Sequence, residues 1–299
     1  MRVVTTQMVT PGDVPTNWGR WGLADELGAL NFITDDVRVR AAEQATTGRT
    51  VSLALPLTPA PLAGAPMPMS TAAMPAPVLQ MMTFTGSPAM AFTDVLLFNT
   101  HNVAMTHIDA LAHIPVEGKV YPGIPTSEAI AHGTVRQGST SAFADGITTR
   151  GVLLDLAPGG RLAADHLVTS QDLEAAEQRA GIRVESGDAL IVRGGWAVHT
   201  DFKDGLPSMT IDAVRWMADR EVSLFGGDIG DRPPTGPGQP MPLHHIALAR
   251  LGIPLIDGAE VSTLAATSAE LGRWTFLFVL GAIPVRGTTG MPVNPLAIF

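Results

Sequence analysis

Apolar runs separated by turn residues recur along the chain, and most are short enough to be strands. Within 94–99 the run Val95–Phe98 is continuous and apolar, which is typical of a strand buried on both faces. The runs at 151–156 and 188–193 have the same character. Strands are therefore predicted at 51–55, 94–99, 151–156, 188–193, 222–228, 253–257 and 274–280.

Helical periodicity and capping residues predict helices between these strands. Thr34 and Thr169 stand where the N-cap of a helix is expected, because a threonine side chain there accepts a hydrogen bond from the first turn. In a third segment the apolar side chains of Val214 and Met217 would turn towards the core. Helices are predicted at 35–47, ending at Gly48, at 169–180, at 209–220 and at 242–251, the last entered through Pro242.

The order of these elements predicts an α/β protein with a mixed central sheet flanked by helices. Helices alternate with strands without a strict βαβ period, and neither an internal repeat nor a dividing linker is visible. We therefore expect a single domain over 1–299, with an N-terminal arm of about residues 1–50. The segment Pro56–Pro77 is predicted to be a loop whose methionines either fill core gaps or an interface, or cover an apolar ligand: Met67, Met69 and Met74.

Composition narrows the classes of partner. Among the 299 residues 45% are hydrophobic and 16% charged, without an apolar run long enough to cross a membrane, so a subunit interface is the expected place for the excess apolar surface. A net charge of −9 without a basic cluster argues against nucleic acids and anionic membranes. The N-terminal residues lack the features of a signal peptide, and a cytoplasmic location is expected.

The absence of cysteine limits the chemistry that the chain can perform. It excludes disulfides and thiolate ligands, so a bound metal would be held by His, Asp, Glu or Gln side chains and water. The sequence Gly-x-Ser-x-Gly is also absent, which weakens a serine hydrolase interpretation.

Two histidines and an aspartate fall close together in the otherwise apolar segment Thr106–His113. His107 and Asp109 would leave the same face of a strand, and His113 would join them if the chain became helical after Asp109. Ionisable groups in an apolar segment are costly unless they have a function. His107 and Asp109 are therefore candidate metal ligands, and His113 is a candidate ligand or acid/base group.

Two side chains seldom hold a metal tightly, so further ligands are expected from the second half of the chain. The adjacent His244 and His245 would point to different sides of a helix, and one of them is expected to face the site. Asp228 and Asp257 lie at the carboxyl ends of predicted strands, where α/β sites gather. Taken singly, the remaining histidines are expected to be hydrogen-bonded core residues, with His101 kept as a possible additional ligand: His101, His132, His166 and His199.

The segment Thr-His-Ile-Asp-Ala-Leu-Ala-His resembles the Thr-His-x-Asp-x-x-x-His signature of the metal-dependent cyclase family, which includes bacterial kynurenine formamidase and isatin hydrolase. The similarity extends over nearly the whole chain, to its longer members, through the segments 17–31, 101–113, 145–156, 187–193, 242–257 and 287–299.

This resemblance implies a swivelling β/β/α fold, a homodimer or homotetramer, and a Zn²⁺ or Mn²⁺ centre. It assigns His107 and Asp109 as ligands, His113 as general acid or base, and further ligands to His244 or His245 and to Asp257. Formamidase-like relatives have a histidine four residues before the first motif histidine, where this chain has Val103, and this difference favours one divalent ion.

The function implied is hydrolysis of an amide, formamide or lactone bond in a small, cyclic or aromatic substrate. The alternatives are a catalytically idle binding protein on the same fold, which would not need His113, and an enzyme that closes a ring by the reverse acyl chemistry. Candidate pocket residues are Trp18, Trp21, Phe32 and Met82.

Overall fold

A mixed sheet of nine strands forms the centre of the computed structural model, which describes residues 14–61, 76–197, 205–232 and 240–299. The strands in chain order are β1 (Thr50–Ser52), β2 (Ala60–Pro61), β3 (Val78–Thr85), β4 (Ala91–Phe98), β5 (His107–Asp109), β6 (Lys119–Val120), β7 (Ile124–Pro125), β8 (Ile130–Ala131), β9 (Thr134–Val135), β10 (Ile147–Asp155), β11 (Leu167–Val168), β12 (Ala189–Arg193), β13 (Ser208–Met209), β14 (Leu224–Gly227), β15 (Leu255–Asp257), β16 (Thr275–Leu280), β17 (Gly290–Pro292) and β18 (Leu296–Ile298).

The central sheet has the order β1-β18-β16-β10-β12-β14-β15-β5-β17. Strands β10, β12, β14 and β15 run parallel, and the strands on either side of them pair antiparallel. The parallel strands are almost continuously apolar and buried, as expected for strands that are covered on both faces. The predicted mixed α/β sheet is confirmed.

Two helices begin at the predicted capping residues Thr34 and Thr169, and a third begins at Thr210, which was not predicted as a cap. Thr34, Thr169 and Thr210 each accept a backbone hydrogen bond from the first turn, and Thr169 does so in a reciprocal capping box with Asp172. The helices are α1 (Asp35–Ala42), α2 (Thr126–Ala129), α3 (Ser170–Ala180), α4 (Ile211–Asp219) and α5 (Ser262–Leu271), with 3₁₀ turns at Gly28–Phe32 and Thr140–Phe143 and a π-helical turn at Pro242–Leu248.

Three predicted helical segments differ from the structure. The helix that begins after Thr34 ends at Ala42, and the helix predicted at 242–251 is a π-helical turn over Pro242–Leu248. The chain after β5 forms turns instead of a helix, because the Ala112 N–H donates to Gly138 O at 3.1 Å and not to a carbonyl one helical turn earlier.

The largest disagreement concerns the apolar run 94–99. It belongs to β4, every residue of which is exposed, so the prediction of a strand buried on both faces is wrong. Strands β3 and β4 pair over their full length, from Val78 opposite Phe98 to Thr85 opposite Ala91. We call residues 78–98 the β3–β4 hairpin.

The N-terminal segment packs on the turn that follows the π-helical turn. Asn17 donates to Arg250 O at 2.9 Å, and Ala29 donates to Gly252 O at 2.7 Å. Gly28 has a φ of 59°, and a Cβ there would lie 2.2 Å from Gly252 O, so only glycine allows this approach. Of the loop predicted at Pro56–Pro77, residues 62–75, including Met67, Met69 and Met74, lie outside the described residues.

None of the helices in the described ranges is both long and apolar enough to span a membrane.

Candidate metal centre

Strand β5 lies between β15 and β17 and brings the candidate ligands to one face of the sheet. Its His107 pairs with Asp257 of β15, and its Asp109 pairs with Gly290 of β17. Residues directly opposite each other in paired strands share a face, and so do residues two apart on one strand. The side chains of His107, Asp109 and Asp257 therefore leave the sheet together.

Asp109 is the centre of this cluster. It is fully buried, and among the described residues neither carboxylate oxygen has a hydrogen-bond partner. Its Oδ1 lies 3.1 Å from His101 Nδ1 and 3.6 Å from His107 Nε2, and its Oδ2 lies 3.6 Å from His244 Nε2. A buried carboxylate without a donor costs several kcal/mol, and a cation held between it and the imidazoles would remove that cost.

The ring of His107 is oriented for ligation by the backbone. Its Nδ1 lies 2.9 Å from Met105 O, and a carbonyl only accepts, so Nδ1 carries the proton. The lone pair is then on Nε2, which faces Asp109. Hydrogen bonding of the outer ring nitrogen is the usual way in which a protein orients a metal-binding histidine.

Asp231 orients His244 in the same way. Its Oδ2 lies 2.9 Å from His244 Nδ1 and accepts the His244 backbone N–H, while Oδ1 accepts the N–H of Leu243. His244 Nε2 then faces Asp109 Oδ2 at 3.6 Å and Asp257 Oδ2 at 3.5 Å. The sequence left Asp231 unnoticed, although it lies between two segments that carried candidate ligands.

The charge around His244 suits a cation. Burial alone would lower the pKa of His244, but the hydrogen bonds to Asp231 and Asp257 outweigh it and raise the pKa to about 11. Carboxylates concentrated around one imidazole thus attract positive charge, which a proton or a metal ion supplies. His245 points elsewhere and accepts the Met241 N–H through Nδ1 at 3.2 Å, so His244 is the member of the pair that faces the site.

His101 also belongs to the cluster. Its Nε2 lies 3.1 Å from Thr289 Oγ1, and its Nδ1 is the atom next to Asp109. Val103 stands where formamidase-like relatives have a histidine, but the loop before β5 brings His101 to the site instead. His101 was kept as a possible additional ligand, and whether one or two ions bind stays a prediction.

His113 lies against His101 with the ring planes 8° apart and the centroids separated by 3.8 Å. Burial lowers the pKa of His113 to about 4, partly opposed by the charge of Asp109, so its imidazole is neutral near pH 7.

Asp109 belongs to two sets of side chains that could each hold a metal ion. Within each set the ligand atoms all lie within 4.8 Å of one another. The sets are His101, His107 and Asp109, and Asp109, His113 and His244.

Asp228 lies away from the cluster. Its carboxylate accepts the backbone N–H groups of Gly194, Gly195 and Trp196 and thereby holds the loop after β12. Burial raises the pKa of Asp228 to about 6, against the opposing effect of these three donors. Asp228 therefore has a structural role, because backbone N–H groups satisfy its carboxylate. The sequence alone could not show whether such groups or a metal ion would do so.

A cavity of about 650 Å³ opens onto the cluster, lined by His101, His107, His113, His244 and Asp257 and by Arg232. Arg232 donates from Nε to Leu206 O at 3.2 Å and from Nη2 to Ala164 O at 2.9 Å. Among the described residues no carboxylate lies within 4.0 Å of its guanidinium. The cavity therefore has a positive charge on its wall that sequence reasoning missed.

The candidate pocket residues lie outside this lining. Trp18 donates to Ala249 O and packs against the side chains of Lys119 and Arg250, and Trp21 packs edge to face on Phe32. Met82 lies on the β3–β4 hairpin with 63% of its surface exposed. The two tryptophans and Phe32 are therefore packing residues in this structure.

The other histidines have separate environments. His132 is exposed, with a φ of 55°, and its Nδ1 lies 3.2 Å from Arg136 Nη2. The prediction that His132 is a hydrogen-bonded core residue is therefore wrong. His166 lies 3.3 Å from Asp172 Oδ2 and is partly buried. His199 lies outside the described residues.

Gly290 controls the position of His101. A Cβ at Gly290 would lie 2.6 Å from His101 Cε1 and 3.0 Å from Nε2. We expect Gly290→Ala to push the ring away from Asp109 and to weaken metal binding about 10- to 100-fold, the range seen when the support of a ligand is lost. Titration of the metal-free protein with Mn²⁺, followed by calorimetry, measures this affinity.

Gly281→Ala is the matched control, because a Cβ at Gly281 meets no atom within 4 Å. It should bind Mn²⁺ as the unaltered chain does. Equal affinity of the Gly290 and Gly281 variants would mean that His101 is not a ligand.

Comparisons with known proteins concern the family and the fold. The model of a family described as "Putative cyclase" matches residues 51–231. A solved structure described as a novel cyclase has a TM-score of 0.79 and 25% identity, over 95% of this chain and 99% of that chain. The comparison with curated proteins gave no match.

Two isatin hydrolase structures share the fold. Isatin hydrolase A from Labrenzia aggregata, bound to benzyl benzoate, has a TM-score of 0.57 and 19% identity, over 83% of this chain and 93% of that chain. An isatin hydrolase bound to the product analogue thioisatinate has a TM-score of 0.58 and 18% identity, over 84% of this chain and 92% of that chain.

Proposed function

The chain belongs to the cyclase family, and from that premise we propose that it is a metal-dependent hydrolase of an amide, formamide or lactone bond in a small cyclic or aromatic molecule. The observation that carries this proposal is the fully buried carboxylate of Asp109, which has no hydrogen-bond donor among the described residues and lies between the imidazoles of His101, His107 and His244. Such a carboxylate is stable when a cation shares its site.

The donor set fits a divalent ion that accepts nitrogen and oxygen ligands, and we propose Zn²⁺ or Mn²⁺. His101, His107, Asp109 and His244 would hold it, with Asp257 beside His244. When bound, such an ion supplies Lewis acidity, which polarises a carbonyl group and makes water a nucleophile at neutral pH.

His113 is the group proposed to move the proton. Its ring is neutral near pH 7 because burial holds the pKa at about 4, so a lone pair is available in the cavity. A neutral imidazole takes a proton from the attacking water and returns it to the leaving nitrogen or oxygen. The stacking of His113 on His101 fixes the ring beside the ligands.

Arg232 places a positive charge on one part of the cavity wall. Two backbone carbonyls hold its guanidinium at the wall, so little side-chain entropy is lost when an anion binds. Hydrolysis of an amide or lactone releases a carboxylate, and a guanidinium pairs well with that group. We therefore propose that Arg232 receives the developing or finished carboxylate of the product.

The likeness to isatin hydrolases guides the choice of the first substrates. One of those structures holds an analogue of a ring-opened product, which makes cyclic amides reasonable first candidates for this chain. Ring closure is the second candidate function, because acyl chemistry in reverse would use the same residues and the matched family is described as cyclases.

A screen of isatins, formanilides, lactones and cyclic dipeptides tests the proposal. Protein freed of metal and then loaded with Mn²⁺ or Zn²⁺ should release acid from at least one class, and a chelator should abolish the release. Activity that survives complete removal of metal would contradict the metal-dependent mechanism. Full metal binding with no turnover in either direction would instead favour a binding protein.

A further inference from the structure

The carbonyl groups of residues 249–252, where the π-helical turn ends, accept hydrogen bonds from a distant segment near the N-terminus. Trp18 Nε1 donates to the first of these carbonyls at 2.7 Å, and Asn17 Nδ2 donates to the third at 2.9 Å. The backbone N–H groups of Asn17 and Ala29 donate to the second and the fourth. All four residues are buried, and a buried carbonyl that lost its donor would be costly. We call residues 16–31 the capping segment.

The first of these hydrogen bonds continues to the candidate ligand His244. The Ala249 carbonyl accepts from Trp18, and the Ala249 N–H donates to His244 O at 3.1 Å. The second hydrogen bond spans five residues, which is the π-helical pattern, whereas an α-helix would pair the Ala249 N–H with His245 O. The hydrogen-bond pattern of this turn therefore affects which histidine of the pair faces Asp109.

The two ends of the π-helical turn are held by different parts of the chain. Asp231 binds the backbone and the ring of His244 at the start of the turn, and the capping segment binds its end. Single π-helical turns are rare, and a rare backbone conformation persists only where its surroundings hold it. Loss of the hydrogen bonds at the end of the turn would let it shift towards the α-helical pattern. His244 Nε2 would then leave its place beside Asp109 and Asp257.

The capping segment is itself anchored through Tyr121. Asp25 Oδ2 accepts a hydrogen bond from the buried Tyr121 hydroxyl at 2.8 Å and another from the Gly28 N–H at 2.9 Å. Burial and the neighbouring Asp25 carboxylate raise the pKa of Tyr121, so its hydroxyl remains a donor. The Tyr121 ring also lies against Gly252, where a Cβ would be 2.6 Å from Cε2. One side chain thus contacts both the capping segment and the chain that it caps.

We propose that the capping segment positions the metal ligand His244, with Trp18 as a positioning residue that acts through Ala249. The inference rests on the proposed metal-dependent function, since it concerns how firmly one ligand of that centre is held. Coupling between two sites is reciprocal. Metal binding and docking of the capping segment therefore stabilise each other.

Trp18→Phe is the first test. Phenylalanine keeps an aromatic ring beside Lys119 and Arg250 but removes the donor to Ala249 O. The dissociation constant for Mn²⁺ should rise by about 3- to 10-fold, the usual effect of one lost hydrogen bond. Calorimetric titration of the metal-free protein measures this constant.

Trp21→Phe is the matched control, because Trp21 lies in the same segment, is also partly buried, and packs edge to face on Phe32. It should bind Mn²⁺ as the unaltered chain does. Chemical denaturation of both variants gives their free energies of unfolding. A purely structural role would lower that free energy in either variant without changing the Mn²⁺ affinity of the folded chain.

Hydrogen exchange in the unaltered chain tests the coupling without any substitution. Mn²⁺ should slow exchange at the backbone N–H groups of residues 16–31, because a firmly held His244 fixes the carbonyls to which they donate. Residues 35–42 of the neighbouring helix α1 are the reference segment, and their exchange should slow less. Mass spectrometry of peptides from both segments measures the difference.

Three results would overturn the inference. Equal Mn²⁺ affinity of the two tryptophan variants would separate the capping segment from His244 and leave the metal centre in place. Exchange in residues 16–31 that Mn²⁺ slows no more than exchange in residues 35–42 would do the same. An unaltered chain that binds neither Mn²⁺ nor Zn²⁺ would instead contradict the proposed function, and the inference with it.

Discussion

Asp109→Asn is expected to lose its bound metal and its hydrolytic activity together. The substitution keeps the shape of the side chain but removes the negative charge that faces three imidazole nitrogens within 3.6 Å. Lewis-acid stabilisation is worth several kcal/mol, and each 1.36 kcal/mol is a tenfold change in rate. The turnover number should therefore fall by about 10³-fold or more. Elemental analysis of the purified variant measures the metal content directly.

Asp228→Asn is the control, because Asp228 is equally buried but binds the backbone of residues 194–196. Its expected defect is a lower free energy of unfolding, by about 1–3 kcal/mol for a disturbed buried hydrogen bond, with the metal content unchanged. Full occupancy in Asp109→Asn would show that Asp109 is not a ligand and would remove the main support for the proposed metal centre.

His113→Ala is expected to separate the two properties that Asp109→Asn loses together. The variant should keep its metal, because the imidazoles of His101, His107 and His244 still lie within 3.6 Å of the Asp109 carboxylate. Its turnover number should fall by about 10²- to 10⁴-fold, the usual contribution of a general acid or base. Metal analysis and steady-state kinetics on the same preparation give both quantities.

Imidazole added to the assay provides a further check on His113. Removal of the ring leaves a space beside His101, against which the ring is stacked. Partial recovery of turnover by added imidazole supports proton transfer, since a free base can then do the work of the missing side chain. Loss of metal from His113→Ala would instead assign His113 as a ligand in the set with Asp109 and His244.

The part of the site that depends on local geometry could be predicted from the sequence. Strand alternation places His107 and Asp109 on one face, and the rule that α/β sites gather at strand ends identifies Asp257. The central parallel strands were predicted for a similar reason, since continuous apolar runs fit strands that are covered on both sides.

The other residues of the site depend on contacts between distant parts of the chain. His101 comes from an irregular loop and is positioned by Thr289. His244 faces the site because Asp231 holds its ring, and the sequence alone did not separate it from His245. The apolar run in β4 illustrates the same limit, because a pattern identifies an apolar strand but not what covers it.

The position of β5 between β15 and β17 has a consequence for biosynthesis. Strand β5 carries residues 107–109, but the ribosome synthesises its neighbours β15 and β17 more than a hundred residues later. Contacts so distant in sequence form late, and a ribosome supplies the chain at about 5–20 residues per second. A nascent chain therefore carries the motif for several seconds without Asp257 or Gly290 beside it. We expect ion capture to begin only after residues 290–292 have emerged and docked, so that incomplete chains do not sequester metal.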